Sequence, residues 1–273
     1  MTSGRLRLRE RALEAVAVVL LLVVLFPFLW LLITSFRPSS DALGYSLAFR
    51  PTLANYTSLW TGTFPSSFAH SVIVSSLTTV LSLLLGVPTA YVLARWRFRA
   101  RRQVALWILA SRMAPPIAFT IPFFLAYRVL DLNDTLIGLV LIYLTFNLAL
   151  VIWMMQAFFA GVPASLEEAA WIDGCSVWGA FRRIVLPLAA PGLGATAVLC
   201  FIFSWNDFFF ALILTRTKSM TAPVAIVNFM QYDGWDWGHI AAGGTLIMLP
   251  ILMFAFLVRR YLVSGLTAGG VKD

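Results

Sequence analysis

Six long stretches of this 273-residue chain are almost free of charge, and they decide what it can become. They are Ala15–Ser35, Ser71–Ala94, Val104–Tyr127, Leu136–Phe159, Pro187–Leu214 and Ile240–Tyr261. A hydrocarbon layer about 30 Å thick is crossed by about 20 residues of helix. Each stretch is therefore expected as a membrane-spanning helix, and the chain as an all-α polytopic membrane protein with one transmembrane domain, residues 1–273. Composition agrees: 60% of residues are apolar and 12% charged, against about 45–50% and about 25% in soluble domains. That little charge cannot cover a water-facing surface, which excludes a soluble enzyme, a disordered chain and a coiled coil. The first stretch is too long for a signal-peptide core, and no small-residue cleavage site follows it, so it is expected to remain as a span.

The net charge of +8 is not spread as a nucleic-acid surface would be. Arg5, Arg7, Arg9, Arg11, Arg95, Arg97, Arg99, Arg101, Arg102, Arg182, Arg183, Arg259, Arg260 and Lys272 all fall on one side of the expected membrane. Arg37, Arg50, Arg128, Arg216 and Lys218 fall on the other, and Arg112 lies inside the third span. Positive residues favour the cytoplasmic side, so the chain is expected in the cell membrane with both termini cytoplasmic, and with lipid but no nucleic acid as a partner. Cys175 and Cys200 make no disulfide framework. No Gly-x-x-x-x-Gly-Lys-Ser/Thr loop, metal-spaced His/Cys cluster or nucleophile–base pair is evident, so no cofactor is expected on this chain.

The connector between the fourth and fifth spans carries the most specific pattern. It reads Glu168-Ala169-Ala170-Trp171-Ile172-Asp173-Gly174, then nine residues, then Ile184-Val185-Leu186-Pro187. This predicts a short helix, a turn at Gly174 and a second short helix, with Pro187 stopping the element as the next span begins. Ala169 and Ala170 are small enough for a partner surface to approach, and Phe181 and Ile184 offer apolar anchors. Such a helix–turn–helix suits a groove on a soluble partner.

The stretch resembles the EAA loop of permease subunits of binding-protein-dependent ABC importers: Glu-Ala-Ala, three residues, Gly, nine residues, Ile-x-Leu-Pro. Every fixed position matches. Phe203-Ser204-Trp205-Asn206-Asp207 and the tail Ser264–Asp273 are similar to the carbohydrate-importer branch, the second permease of the maltose-importer type. That group usually ends in Lys-Gly, where this chain has Lys272-Asp273. The resemblance implies a type I ABC importer permease fold and a non-catalytic transport subunit. It implies as partners a second homologous permease, two ATPase subunits that hold ATP and Mg, and an extracytoplasmic solute-binding protein. It places ATPase coupling in residues 164–184 and at Glu168, Ala169, Ala170, Asp173, Gly174, Phe181, Ile184, Leu186 and Pro187. It also makes the outer connector, residues 215–239, a probe of the binding protein through Gln231, Tyr232, Asp233, Gly234, Trp235, Asp236 and Trp237.

Several residues carry two readings from sequence alone. Glu168 is a docking charge or a solvated one, and Asp173 a docking residue or a backbone cap. Asn147, Asn206 and Asp207 line a solute path or bond between helices. Trp205, Trp235 and Trp237 stack on a sugar, or the last two form an interfacial belt. A di- or oligosaccharide is the expected solute, with a polyol or glycerol 3-phosphate as alternatives. The rival readings, an intramembrane enzyme or an ion-coupled carrier acting alone, lack a catalytic set, an ion site and an internal repeat.

Overall fold

The computed structural model describes residues 2–42, 44, 46, 48–113, 115–231 and 234–268. In chain order the helices are α1 (Thr2–Ser35), α2 (Ala54–Thr61), α3 (Phe64–Arg95), α4 (Arg101–Met113), α5 (Pro116–Val129), α6 (Leu136–Ala160), α7 (Ala164–Ile172) and α8 (Val177–Ala180). A π-type turn, Phe181–Val185, leads into α9 (Leu186–Leu188), α10 (Ala190–Trp205), α11 (Phe209–Leu214), α12 (Ala222–Ala225) and α13 (Trp237–Ala268). One antiparallel hairpin, β1 (Met230–Gln231) with β2 (Gly234–Trp235), precedes α13, Met230 facing Trp235.

α1, α3, α6 and α13 are each long and apolar enough to cross a bilayer. They keep Pro27, Pro88 and Pro250 inside unbroken helix. The other two expected spans are broken. α4 and α5 meet at a bend of more than 40° beside Pro115, whose ψ of 128° is extended because Pro116 follows it. Pro116 then fits the first turn of α5, where no N–H is needed. The fifth expected span, Pro187–Leu214, is not one helix. It bends by 76° between α9 and α10, so the stop falls at Ala189 and not at Pro187. Pro187 sits in the first turn of α9, where proline is tolerated, and Pro191 starts α10 afresh. A second break, 206–208, separates α10 from α11.

The described chain divides into two compact units, Met1–Pro65 with Ala225–Met248, and Ser66–Val224 with Leu249–Asp273. In the first, Arg37 is fully buried. It donates to the Gly44 and Ser46 carbonyls at 2.5 Å each and lies over the rings of Phe49 and Trp30. This charge, which sequence places on an outer connector, folds the chain after α1 around itself. Asn55, also buried, donates to the Ser35 and Arg37 carbonyls at 2.9 and 2.7 Å. His239 bonds Ser58 through Nε2 and Asp236 through Nδ1, the latter at 2.5 Å. That hydroxyl–imidazole–carboxylate line is a Ser–His–Asp grouping that sequence spacing did not reveal. The Ser58 hydroxyl also donates to the Asn55 carbonyl of its own helix at 3.2 Å, and the line fastens α2 to the start of α13.

In the second unit α6 is the core helix: over half of its most apolar stretch is buried, whereas none of the corresponding stretch of α1 is. α10 packs along it, and Gly192 makes the approach possible. A Cβ there would stand 2.3 Å from the Phe158 ring. Two apolar clusters form on α6. One gathers Tyr91, Met155, Phe159, Phe181 and Val185 at the end leading into α7. The other gathers Val74, Tyr127, Ile142 and Phe210 toward the opposite end.

Candidate functional site

The connector after α6 forms the helix–turn–helix. α7 ends in a Gly cap: the N–H of Cys175 bonds the Ala170 carbonyl at 2.9 Å and that of Gly174 bonds the Trp171 carbonyl at 3.1 Å. Gly174 has φ +85°, the left-handed region, and a Cβ there would meet nothing within 4 Å. Backbone strain, not crowding, is what calls for glycine. The Ser176 hydroxyl accepts from the Gly179 N–H at 3.1 Å and caps α8.

What holds this element is a residue that sequence reasoning passed over. Glu167, the neighbour of the motif glutamate, is 1% exposed. Its Oε1 pairs with Arg95 Nε at 2.5 Å, and its Oε2 accepts from the Tyr91 hydroxyl at 2.5 Å. Arg95 also donates to the Val162 carbonyl at 2.7 Å. Tyr91 is buried among Trp96, Phe159 and Phe181, with the Phe181 centroid at 4.5 Å. The last turn of α3 is thereby pinned to the first turns of α7. In sequence Arg95 reads only as a topology charge.

Two motif residues do not face outward. Ala170 and Phe181 are buried, and Phe181 packs on Tyr91, Phe159 and Trp178, so it is not an anchor offered to a partner. Helical period explains the reversal: Phe181 falls on the face that the Tyr91 ring covers. Ile184 and Leu186 are half-buried, while Glu168, Ala169, Asp173, Gly174 and Pro187 are exposed. The exposed apolar surface is supplied instead by Leu166, Trp171, Ile172, Val177 and Trp178, with Ile172 87% exposed.

The second site lies in the bilayer-spanning part. A cavity of about 220 Å³ is lined by Arg112, Tyr143, Asn147, Phe203, Ser204 and Asp207, with Pro116, Phe146 and Phe210 completing its wall. Asn147 donates to the Ser204 hydroxyl at 2.9 Å and to the Tyr143 carbonyl at 3.1 Å, an interhelical bond between α6 and α10. Asp207 accepts from the N–H groups of Phe210 and Ala211 at 3.1 and 3.3 Å and so caps α11. Trp205 does not join this wall: it is 1% exposed and packs on Phe68 and Phe201. Asn206 is exposed and bonds back to the Ile202 carbonyl at 3.0 Å.

In the 215–239 connector, Tyr232 and Asp233 lie outside the described residues, as does the tail 269–273. Gln231 and Gly234 form the end pair of the hairpin. Trp235 and Trp237 are exposed and their rings stand 5.1 Å apart. Burial pushes the Asp236 carboxyl up, but bonds from the His239 N–H and the Ser39 hydroxyl outweigh it and hold the acid below the ordinary carboxylate range. Across the second unit's connectors, Asp134 gathers the N–H groups of Arg216, Thr217, Lys218 and Ser219 at 2.9–3.2 Å and the Ser219 hydroxyl at 3.0 Å.

Comparison with known proteins meets this geometry. The family described as the inner membrane component of binding-protein-dependent transport systems matches residues 82–268. The chain is 41% identical to the trehalose transport system permease protein of Mycobacterium tuberculosis over 253 residues, 91% of this chain and 92% of that one. It is 33% identical to the trehalose/maltose transport system permease protein of Thermococcus litoralis over 97% of this chain and 99% of that one. A chain from the crystal structure of a bacterial ABC transporter that imports the acidic polysaccharide alginate superposes with TM-score 0.79 at 24% identity, covering 96% and 98% of the two chains. That likeness is one of fold, the type I importer permease architecture.

Proposed function

The chain belongs to the family of inner membrane components of binding-protein-dependent transport systems, and from that premise we propose that it forms half of the translocation path of an ATP-driven sugar importer. A second, homologous permease supplies the other half, two ATPase subunits drive it, and a solute-binding protein delivers the sugar. A di- or oligosaccharide is favoured because relatives at 41% and 33% identity are named for trehalose and maltose transport.

The observation that carries the coupling role is the α7–α8 element: an exposed apolar surface on one side and a buried ion pair on the other. The exposed side suits a groove on the ATPase, with Glu168 at its edge for a basic residue there. The buried side transmits motion to α3. ATP binding closes the ATPase pair, the element moves with it, and the path switches between inward- and outward-facing states. On the far side, the Trp235–Trp237 hairpin end reaches the docked binding protein. ATP and Mg belong to the partner subunits, and this chain contributes no catalytic group.

The test is Ile172→Asp combined with Trp178→Glu. Both side chains are exposed, so the chain should fold and pair with its partner permease. The ATPase subunits should no longer co-purify, and uptake in membrane vesicles should fall at least about tenfold, the scale of a lost interface hot spot. Full co-purification with wild-type uptake would remove α7–α8 as the docking element.

A further inference from the structure

We propose that the cavity lined by Arg112, Asn147 and Asp207 is a subsite for one neutral sugar ring, in which the Arg112 guanidinium donates to ring hydroxyls. The proposal rests on the sugar-importer reading and deepens it. A cation inside an apolar span is costly and is found facing a cavity or a partner. Arg112 is half-buried, lies 4.9 Å over the Phe203 ring and has no carboxylate paired with it among the described residues. No protein acceptor takes its N–H groups among those residues either. Its fork of donors is therefore held against one wall of the cavity without being consumed.

The other polar groups of the lining are arranged differently. The Asp207 carboxylate is occupied on one side by the first N–H groups of α11, and the Tyr143 hydroxyl is buried beside it. Asn147 spends both amide hydrogens on Ser204 and Tyr143, which leaves its carbonyl oxygen to accept. The lining sets one basic and one acidic side chain together, donors and acceptors in one site. A sugar hydroxyl both donates and accepts, and neighbouring hydroxyls can bridge a guanidinium and a carboxylate. Phe146, Phe203 and Phe210 line the rest of it with apolar carbon, which suits the C–H groups of a sugar. At about 220 Å³ the cavity is smaller than the roughly 300–1,000 Å³ of sites that enclose drug-sized ligands, so it holds one ring and not a chain.

The experiment uses the complete complex in lipid vesicles, with its binding protein loaded with trehalose or maltose, and reads sugar moved per ATP hydrolysed. Arg112→Gln should lower that ratio about tenfold, the scale of one lost charge-assisted hydrogen bond. If Arg112→Gln does not assemble, Arg112→Lys, which keeps the charge but loses the fork, should lower it several-fold. A ratio equal to wild type in the variant that assembles overturns the proposal, because a merely structural Arg112 would depress uptake and ATP hydrolysis together. So does wild-type preference for a uronate-containing disaccharide that Arg112→Gln abolishes, which would make the subsite anionic. Absence of uptake by the wild-type complex across neutral mono- and disaccharides instead sinks the sugar reading itself, and this assignment with it.

Discussion

Asp134 shows how much one side chain can organise when it accepts from four backbone N–H groups and one hydroxyl. It sits at φ +54°, a strained position for a residue with a Cβ, and the position is held by the bonds it gathers from residues 216–219. Burial alone would raise its carboxyl, but those N–H groups and the Ser219 hydroxyl prevail and bring it to about 2. The folded value therefore lies below the ordinary value of 3.8. The resulting stabilisation is complete above that ordinary value and is lost as pH falls from about 4 toward 2. Asp134→Asn should lower the Tm of the purified complex at pH 7, and the gap from wild type should close as pH falls through that window. A gap of constant size from pH 7 to pH 3 would mean that shape, not charge, makes the contact. Gly174 makes the complementary point, since its φ of +85° is set by a backbone cap in open space and not by any neighbour.

At the scale of elements, α7 is a short helix held by a buried polar anchor. Nine residues make too little helix to persist alone, so its orientation depends on the Glu167–Arg95–Tyr91 contacts. Removing one partner from a buried ion pair costs about 3–5 kcal/mol, whereas replacing both by apolar residues is often neutral. Glu167→Ala should thus lose sugar uptake more than ATPase activity and lower the Tm, and Glu167→Leu with Arg95→Met should restore the Tm without restoring coupling. Recovery of full uptake in the double variant would show that the pin only stabilises. The anchor was illegible in sequence for a plain reason. Of two adjacent glutamates a helix buries one, and the choice rests on Arg95 and Tyr91 at the end of another helix. The same tertiary dependence put Phe181 inside. By contrast, span positions were legible because each needs only a long apolar run, and the Gly174 turn because only glycine is relaxed there. The break after Trp205 was hidden, since Asn206 and Asp207 interrupt an otherwise continuous apolar stretch, and the cavity wall draws on α4, α6 and α10, which no spacing along one segment encodes.

For the whole molecule, the topology turns on whether the broken α10–α11 stretch crosses the membrane or turns back. α10 has 16 residues and α11 has 6, which at about 1.5 Å each give roughly 24 and 9 Å, together close to the roughly 30 Å hydrocarbon thickness. If the two halves are stacked across the bilayer, the α6–α10 connector and the 215–239 connector lie on opposite sides, and the arginine bias puts the former inside. A re-entrant stretch would place both on one side. Ser165 and Thr217 are exposed and flank the stretch, whereas Ser219 is buried against Asp134 and would report on folding instead. Cys175 is half-buried near Ser165, so the labelling background is Cys175→Ser. In intact cells, Thr217→Cys should react with a membrane-impermeant maleimide and Ser165→Cys should not, and permeabilisation should expose both. Labelling of both in intact cells, or of neither until permeabilisation, would mean a re-entrant stretch. The reverse pattern would keep the crossing and invert the orientation, placing the α7–α8 element beyond reach of any cytoplasmic ATPase.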